Sequence, residues 1–288
     1  MATTPGAGDR HAWLVWLARA GYAARGVVYL MVGGLALMAA FGSGGQATGS
    51  RGALRTLTDE TWGMIALGAI AIGLIGHAVW RFMQSVLDAD DHGNDGKGLT
   101  VRAGLLGSSV IYVLLAIYAI NLMMLDWGGN AAAEAGGAGA GAGGAQGGQG
   151  GAQEATAWLM SQPYGPWLVG IAGAIIAGVG VAQLVKAAKA KFEKWLVMSG
   201  DKLRKVSPIC RTGLAARAVT FWIIGGFVIV AAWQADPQEA RGLNGALNTL
   251  QAQAYGPWLL GAAAIGLIAF AVYSFVEARY RRIHPSSS

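Results

Sequence analysis

Apolar residues in this chain fall in long blocks rather than alternating with polar ones. Six blocks of about 18 to 23 residues stand out, at 22–41, 62–81, 103–125, 164–185, 217–234 and 255–276, and none carries an Asp or Glu in its interior. About 20 consecutive apolar residues make a helix long enough to cross hydrocarbon. Only helices and closed barrels satisfy their own backbone groups there. The pattern predicts an all-α membrane protein with six transmembrane helices.

The blocks also repeat. Each odd block is introduced by Arg-x-Gly, at Arg19–Gly21, Arg102–Gly104 and Arg211–Gly213, and an aromatic follows each Gly by eight residues, at Tyr29, Tyr112 and Phe221. Each even block opens on an aromatic followed by Gly: Trp62-Gly63, Tyr164-Gly165 and Tyr255-Gly256. Gly68, Gly170 and Gly261 recur at one offset, and Gly52-Ala-Leu-Arg-Thr-Leu57 matches Gly245-Ala-Leu-Asn-Thr-Leu250. Internal repetition of this kind marks a repeated structural unit, here a two-helix hairpin. The expected organisation is a tail over 1–17 with an interfacial aromatic segment, hairpins over 18–84, 101–195 and 211–282, and a basic linker over 196–210. All three hairpins have the same topology, so they would be related by approximate threefold pseudosymmetry about the membrane normal, as in parallel-repeat transporters. Short interfacial helices are expected near 51–58 and 242–251. Pro166 and Pro257 suit a first helical turn, where the missing N–H costs nothing.

Two insertions break the repetition. Residues 128–151 are nearly all Gly, Ala and Gln, a composition that reads as a flexible loop. The loop lacks the Gly-Lys-Ser/Thr and the preceding strand of a phosphate-binding loop. The stretch from Lys186 to Cys210 opens with Phe192, Trp195 and Leu196 among lysines. It reads as a basic amphipathic continuation of the fourth span, suited to an anionic leaflet.

Composition agrees with a membrane protein. Of 288 residues only 12% are charged and 54% are hydrophobic, with mean hydropathy +0.45. A typical soluble domain has about 25% charged residues. The net charge of +6 does not signal nucleic acid, because the charges sort by side. With the N-terminus placed in the cytoplasm, all of the 21 Lys and Arg except Arg51, Arg55 and Arg241 fall on the inner side. The positive-inside rule then puts both termini in the cytoplasm, and the expected location is a bacterial plasma (inner) membrane. Asp59, Glu60, Asp126, Glu134, Glu154, Asp236 and Glu239 fall outside. Trp62, Trp127, Trp158, Trp167, Trp233 and Trp258 lie near the outer ends of spans, and Trp13, Trp16, Trp80, Trp195 and Trp222 near the inner ends, as two interfacial belts. The N-terminus lacks a basic region followed at once by an apolar core, so a cleaved signal peptide is not expected. The single cysteine, Cys210, forms no internal disulfide and no metal spacing.

The three Arg-x-Gly units and the Ala18–Gly33 segment ARAGYAARGVVYLMVG resemble a bacterial membrane family known only as a domain of unknown function, with three copies per chain. The resemblance covers about 18–84, 101–195 and 211–282. The second unit departs from it, with Ser108 where the others have Arg25 and Arg217. The resemblance implies architecture and supplies no chemistry.

The candidate binding residues are therefore argued from the sequence itself. Arg19, Arg102 and Arg211 occupy equivalent helix starts, with Arg25 and Arg217 deeper in the membrane. Under threefold symmetry they would ring the cytoplasmic face, where guanidinium groups could hold a phosphate, carboxylate or lipid headgroup by bidentate bonds. The plainer reading is snorkelling that sets topology. His77 is the one histidine within a span, one turn before Arg81. The pair is a candidate intramembrane polar site, against a packing role for a neutral imidazole. A haem would need a second axial ligand, and no other span has a histidine, so no cofactor is expected. Gly170, Ala174, Gly178 and Ala182 form a small-residue stripe for close helix packing, as do Ala69 and Gly73 leading to His77. Asp88, Asp90, Asp91 and Asp95 around His92 read as a solvated turn lacking the calcium-loop pattern. No metalloprotease, serine-hydrolase or paired-carboxylate motif occurs, so no catalytic residue is named and an enzyme is not expected. The leading expectation is a protein of unassigned activity acting by contacts with lipids, anionic ones first, or protein partners through a basic cytoplasmic face. The alternative is a small transporter or channel around the pseudo-threefold axis.

Overall fold

The structure is a computed structural model and describes residues 7–88, 93, 95–128 and 149–282. Most of the Gly/Ala-rich loop, 129–148, and most of the acidic turn at His92 lie outside the described residues. So do the side chains of Trp13 and Trp127.

Nine α-helices carry the described chain: α1 (Ala7–Ala40), α2 (Ser50–Arg55), α3 (Gly63–Val86), α4 (Gly96–Gly128), α5 (Gln149–Met160), α6 (Gly165–Ala188), α7 (Gly200–Gln234), α8 (Leu243–Gln251) and α9 (Gly256–Tyr280). Helices α1, α3, α4, α6, α7 and α9 are long and apolar enough to cross a membrane. The short α2 and α8 sit where the repeat places interfacial helices, and α5 occupies the corresponding place in the middle hairpin. The aromatic-Gly signature has a steric cause. A Cβ on Gly63, Gly165 or Gly256 would run into the carbonyl of Leu57, Met160 or Gln251 respectively. Each of α3, α6 and α9 thus starts by folding its first turn onto the end of the segment before it.

The six spans pack as an open series, α4–α3–α1–α9–α7–α6, each lying along its neighbours in that order. The hairpins α1/α3 and α7/α9 are closed. The middle hairpin is not, since α4 and α6 do not pack along one another. Equivalent glycines show the difference. A Cβ on Gly21 would lie 2.5 Å from the His77 backbone nitrogen, and one on Gly213 would strike the Phe270 backbone, whereas one on Gly104 would meet nothing. Helices α4 and α6 are also the least buried spans, at 28% and 17% of their apolar windows, against 50–56% for α1, α3 and α9. The bundle is a horseshoe with its mouth between α4 and α6, a departure from equal packing at all six seams. In hydrocarbon, helices associate through close backbone approach, and α6 meets α7 in this way. Gly225 lies against the backbone of Gly173 and Ala177, and Gly180 against Trp222 and the Ala218 carbonyl.

Four sequence expectations change here. The packing stripe of α6 runs through Gly173, Ala177 and Gly180, because Ala174 and Gly178 are exposed and Ala182 borders a cavity. Both stripes are built of small residues, so spacing alone does not choose between them. The basic stretch after Lys186 does not continue α6. The helix stops at Ala188, Ala190 takes a positive φ of 48°, and Phe192 inserts into the core. The expected linker 196–210 is largely helix, since α7 begins at Gly200. Finally, Trp80 is no interfacial anchor. It is buried, with its indole N–H donating to Tyr22 Oη at 3.2 Å.

Candidate functional site

The starts of α1, α4 and α7 and the ends of α3, α6 and α9 meet at one end of the bundle, the arginine end. The repeated Arg-x-Gly arginines do not act as one set there. Arg102 donates from Nε to the Ser85 carbonyl (2.7 Å) and from Nη2 to that of Val86 (3.0 Å). Arg211 does the same at the end of α6, to Ala187 (2.9 Å) and Ala188 (3.0 Å). Each caps carbonyls left open in the last turn of the preceding span, where a cation also meets the negative end of the helix dipole. Arg19 is exposed. These three positions therefore lie apart from the deeper arginines.

Arg25 and Arg217 sit six residues deeper, about 9 Å along the helix axis. Arg25 is buried. Its Nη2 lies 2.5 Å from Glu277 Oε2, and its Nε donates to Ser274 Oγ at 3.1 Å. Glu277 Oε1 accepts from Arg281 Nη1 at 2.7 Å. One buried carboxylate is thus shared by two buried arginines. The apolar-block reading ends the last span at 276 and so misses Glu277. The helix continues to Tyr280 because both oxygens of that carboxylate are compensated, which removes most of the penalty for burying it. The expectation of spans free of buried carboxylates is corrected accordingly. A short backbone pairing holds this corner: Val197 N–H donates to the Tyr280 carbonyl and Arg282 N–H to that of Trp195, both at 2.8 Å.

Arg217 has no carboxylate partner among the described residues, and its Nε makes no hydrogen bond. Its guanidinium instead lies over three rings, Phe270 at 4.5 Å, Phe221 at 5.2 Å and Tyr29 at 5.4 Å. Two of these rings are the aromatics that recur eight residues after the Arg-x-Gly glycines. His77 is fully buried, edge-on to Tyr112 (4.4 Å) and Tyr22 (4.9 Å). Its Nε2 faces Arg81 Nε at 3.4 Å, and its Nδ1 makes no hydrogen bond. Arg81 also reaches Gln84 Oε1 at 3.4 Å.

A cavity of about 510 Å³ joins Arg25, Arg81, Arg217, Glu277 and Arg281, while His77 lies behind Arg81 and is not part of its lining. All six spans wall it. Arg25 comes from α1, Arg81 from α3, Val101 and Leu105 from α4, Val179, Gln183 and Lys186 from α6, Arg217 from α7, and Tyr273 and Glu277 from α9. Lys191, Lys194, Trp195 and Arg281 also line it. The lining thus holds seven basic side chains and one carboxylate, and that carboxylate is already engaged by Arg25 and Arg281. Lys186 donates to Tyr273 Oη at 3.0 Å. Arg81, Lys186 and Arg217 therefore face the cavity with neutral partners. A separate, small cavity of about 10 Å³ lies on the other side of Arg217, between Tyr29, Phe221, Leu243 and Leu267.

Six apolar spans and a polar pocket at one end define a multi-pass membrane protein. The chain belongs to the family described as Domain of Unknown Function (DUF1206), whose model matches it three times, over residues 20–88, 131–190 and 212–281. The second match leaves out α4, the span with Ser108 in place of the deeper arginine. An uncharacterized protein of Bacillus subtilis (strain 168), YxxB, is 34% identical over 274 residues, covering 94% of this chain and 92% of that protein. No solved structure matches.

Proposed function

We propose that the protein binds the anionic group of a ligand in the basic cavity, at the cytoplasmic side of a bacterial plasma membrane. The placement follows from the positive-inside distribution of Lys and Arg. The carrying observation is the imbalance inside the cavity, seven basic groups around a single carboxylate whose oxygens are already occupied. Cations held in a partly desolvated pocket without counter-charge attract an anion strongly, and a phosphoryl or carboxylate group accepts from several N–H donors at once. The cavity and the small space on the other side of Arg217 are separate, which favours a site closed on one side over an open channel. In this reading the protein binds rather than catalyses, and Arg25 is a positioning residue while Arg81, Lys186 and Arg217 are the contact groups.

The test is thermal unfolding of purified protein in neutral detergent, titrated with inorganic pyrophosphate. The expected result is a saturable rise in Tm for the native chain, reduced at least tenfold in apparent affinity by Arg217→Gln and restored in part by Arg217→Lys. A rise of equal size and affinity in Arg217→Gln would overturn the assignment.

A further inference from the structure

The mouth of the horseshoe says where the ligand comes from. We infer that the cavity takes the phosphoryl headgroup of an anionic membrane lipid, which enters sideways between α4 and α6; this rests on the anion-binding reading above.

Three observations combine. First, the cavity is lined by Val101 and Leu105 of α4 and Val179 of α6, the two spans that do not pack together. Second, the apolar edge on α6 continues at four-residue steps from Val179, itself 41% exposed, to exposed Ile175 and Ile171, and α4 exposes Val110, Val113 and Ile117 along its outer side. Apolar surface of this extent at membrane depth faces acyl chains. Third, Arg217 lies about 9 Å further along the helix than the carbonyl-capping Arg211, and no carboxylate balances it among the described residues. A soluble anion needs a basic pocket and a route through water. It gains nothing from apolar lips on the lipid side. An amphiphile matches both parts, since its chains stay in hydrocarbon against α4 and α6 while its phosphate reaches Arg81, Lys186 and Arg217. Gly104 is the gate position. The corresponding Gly21 and Gly213 are pressed against α3 and α9, but a side chain at Gly104 has open space before it, so a large residue fits there and obstructs the mouth without disturbing the packing.

The experiment uses the full chain in nanodiscs made of phosphatidylcholine with a minor share of phosphatidylglycerol, then native mass spectrometry to count retained lipid. We expect phosphatidylglycerol to be enriched on the native chain, and Gly104→Trp to lower that enrichment at least fivefold while leaving the pyrophosphate-dependent Tm rise intact. Gly104→Ala should match the native chain in both. Undiminished enrichment in Gly104→Trp, or no preference for phosphatidylglycerol, would overturn lateral lipid entry and leave anion binding standing. Loss of both signals in Arg217→Gln is expected; retention of both there removes the anion site itself. A Gly104→Trp protein with a lowered Tm before any addition would be replaced by Ile175→Trp, which obstructs the same mouth from α6 at a residue outside the cavity lining.

Discussion

Arg25 on the first span and Glu277 on the last are 252 residues apart in sequence and 2.5 Å apart in space. This contact ties the first hairpin to the third, and Arg281 completes it from the other oxygen. Removing one partner of a buried ion pair leaves the others uncompensated, at a cost of about 3–5 kcal/mol. Glu277→Gln is therefore expected to lower stability by that order, read as a drop in Tm or in the denaturant midpoint in detergent. Replacing all three groups together (Arg25→Met, Glu277→Leu and Arg281→Met) should cost less than the single change, because no charge is left stranded. A triple variant less stable than Glu277→Gln would contradict this account.

The glycines of the Arg-x-Gly units divide by what they touch. Gly21→Val and Gly213→Val place atoms inside the backbones of α3 and α9, and overpacking of this kind costs about 1–3 kcal/mol or more. Gly104→Ala meets nothing and sits within a helix, where Ala is favoured over Gly by about 0.5–1 kcal/mol. The same substitution class should thus destabilise two hairpins and leave the third unharmed or slightly stabilised, as measured by unfolding midpoints.

The capping arginines separate stability from binding. Arg102→Ala and Arg211→Ala each remove two charge-assisted bonds to helix-terminal carbonyls, a loss of about 1.5–3 kcal/mol. They should lower the unfolding midpoint without weakening the response to pyrophosphate, the reverse of Arg217→Gln. Arg217 makes no hydrogen bond at Nε, and stacking on aromatic rings contributes only about 0.5–2 kcal/mol, so its loss should leave stability close to native.

Six spans, three repeats and the short helices α2 and α8 were legible because hydrocarbon imposes length and because the repeat signatures are steric necessities, Gly63, Gly165 and Gly256 above all. The arginines were legible as a group, yet their division was not. Arg102 and Arg211 differ from Arg25 and Arg217 only in depth, and depth determines whether a guanidinium finds carbonyls or a cavity. Glu277 escaped because a hydropathy block registers a carboxylate as an end, whereas Arg25, distant in sequence, makes it part of the interior. The open middle hairpin left a faint trace at Ser108, where the repeated arginine is missing. The sequence offered no measure of the distance between α4 and α6.

A closed ring of six helices would look the same to its surroundings from every direction in the plane of the bilayer. Separating α4 from α6 gives this protein a front and a back. Neighbours diffusing in two dimensions meet packed helices at five seams and a gap at one. The triplication supplies the wall, and its one imperfect copy gives the molecule a bearing within the membrane.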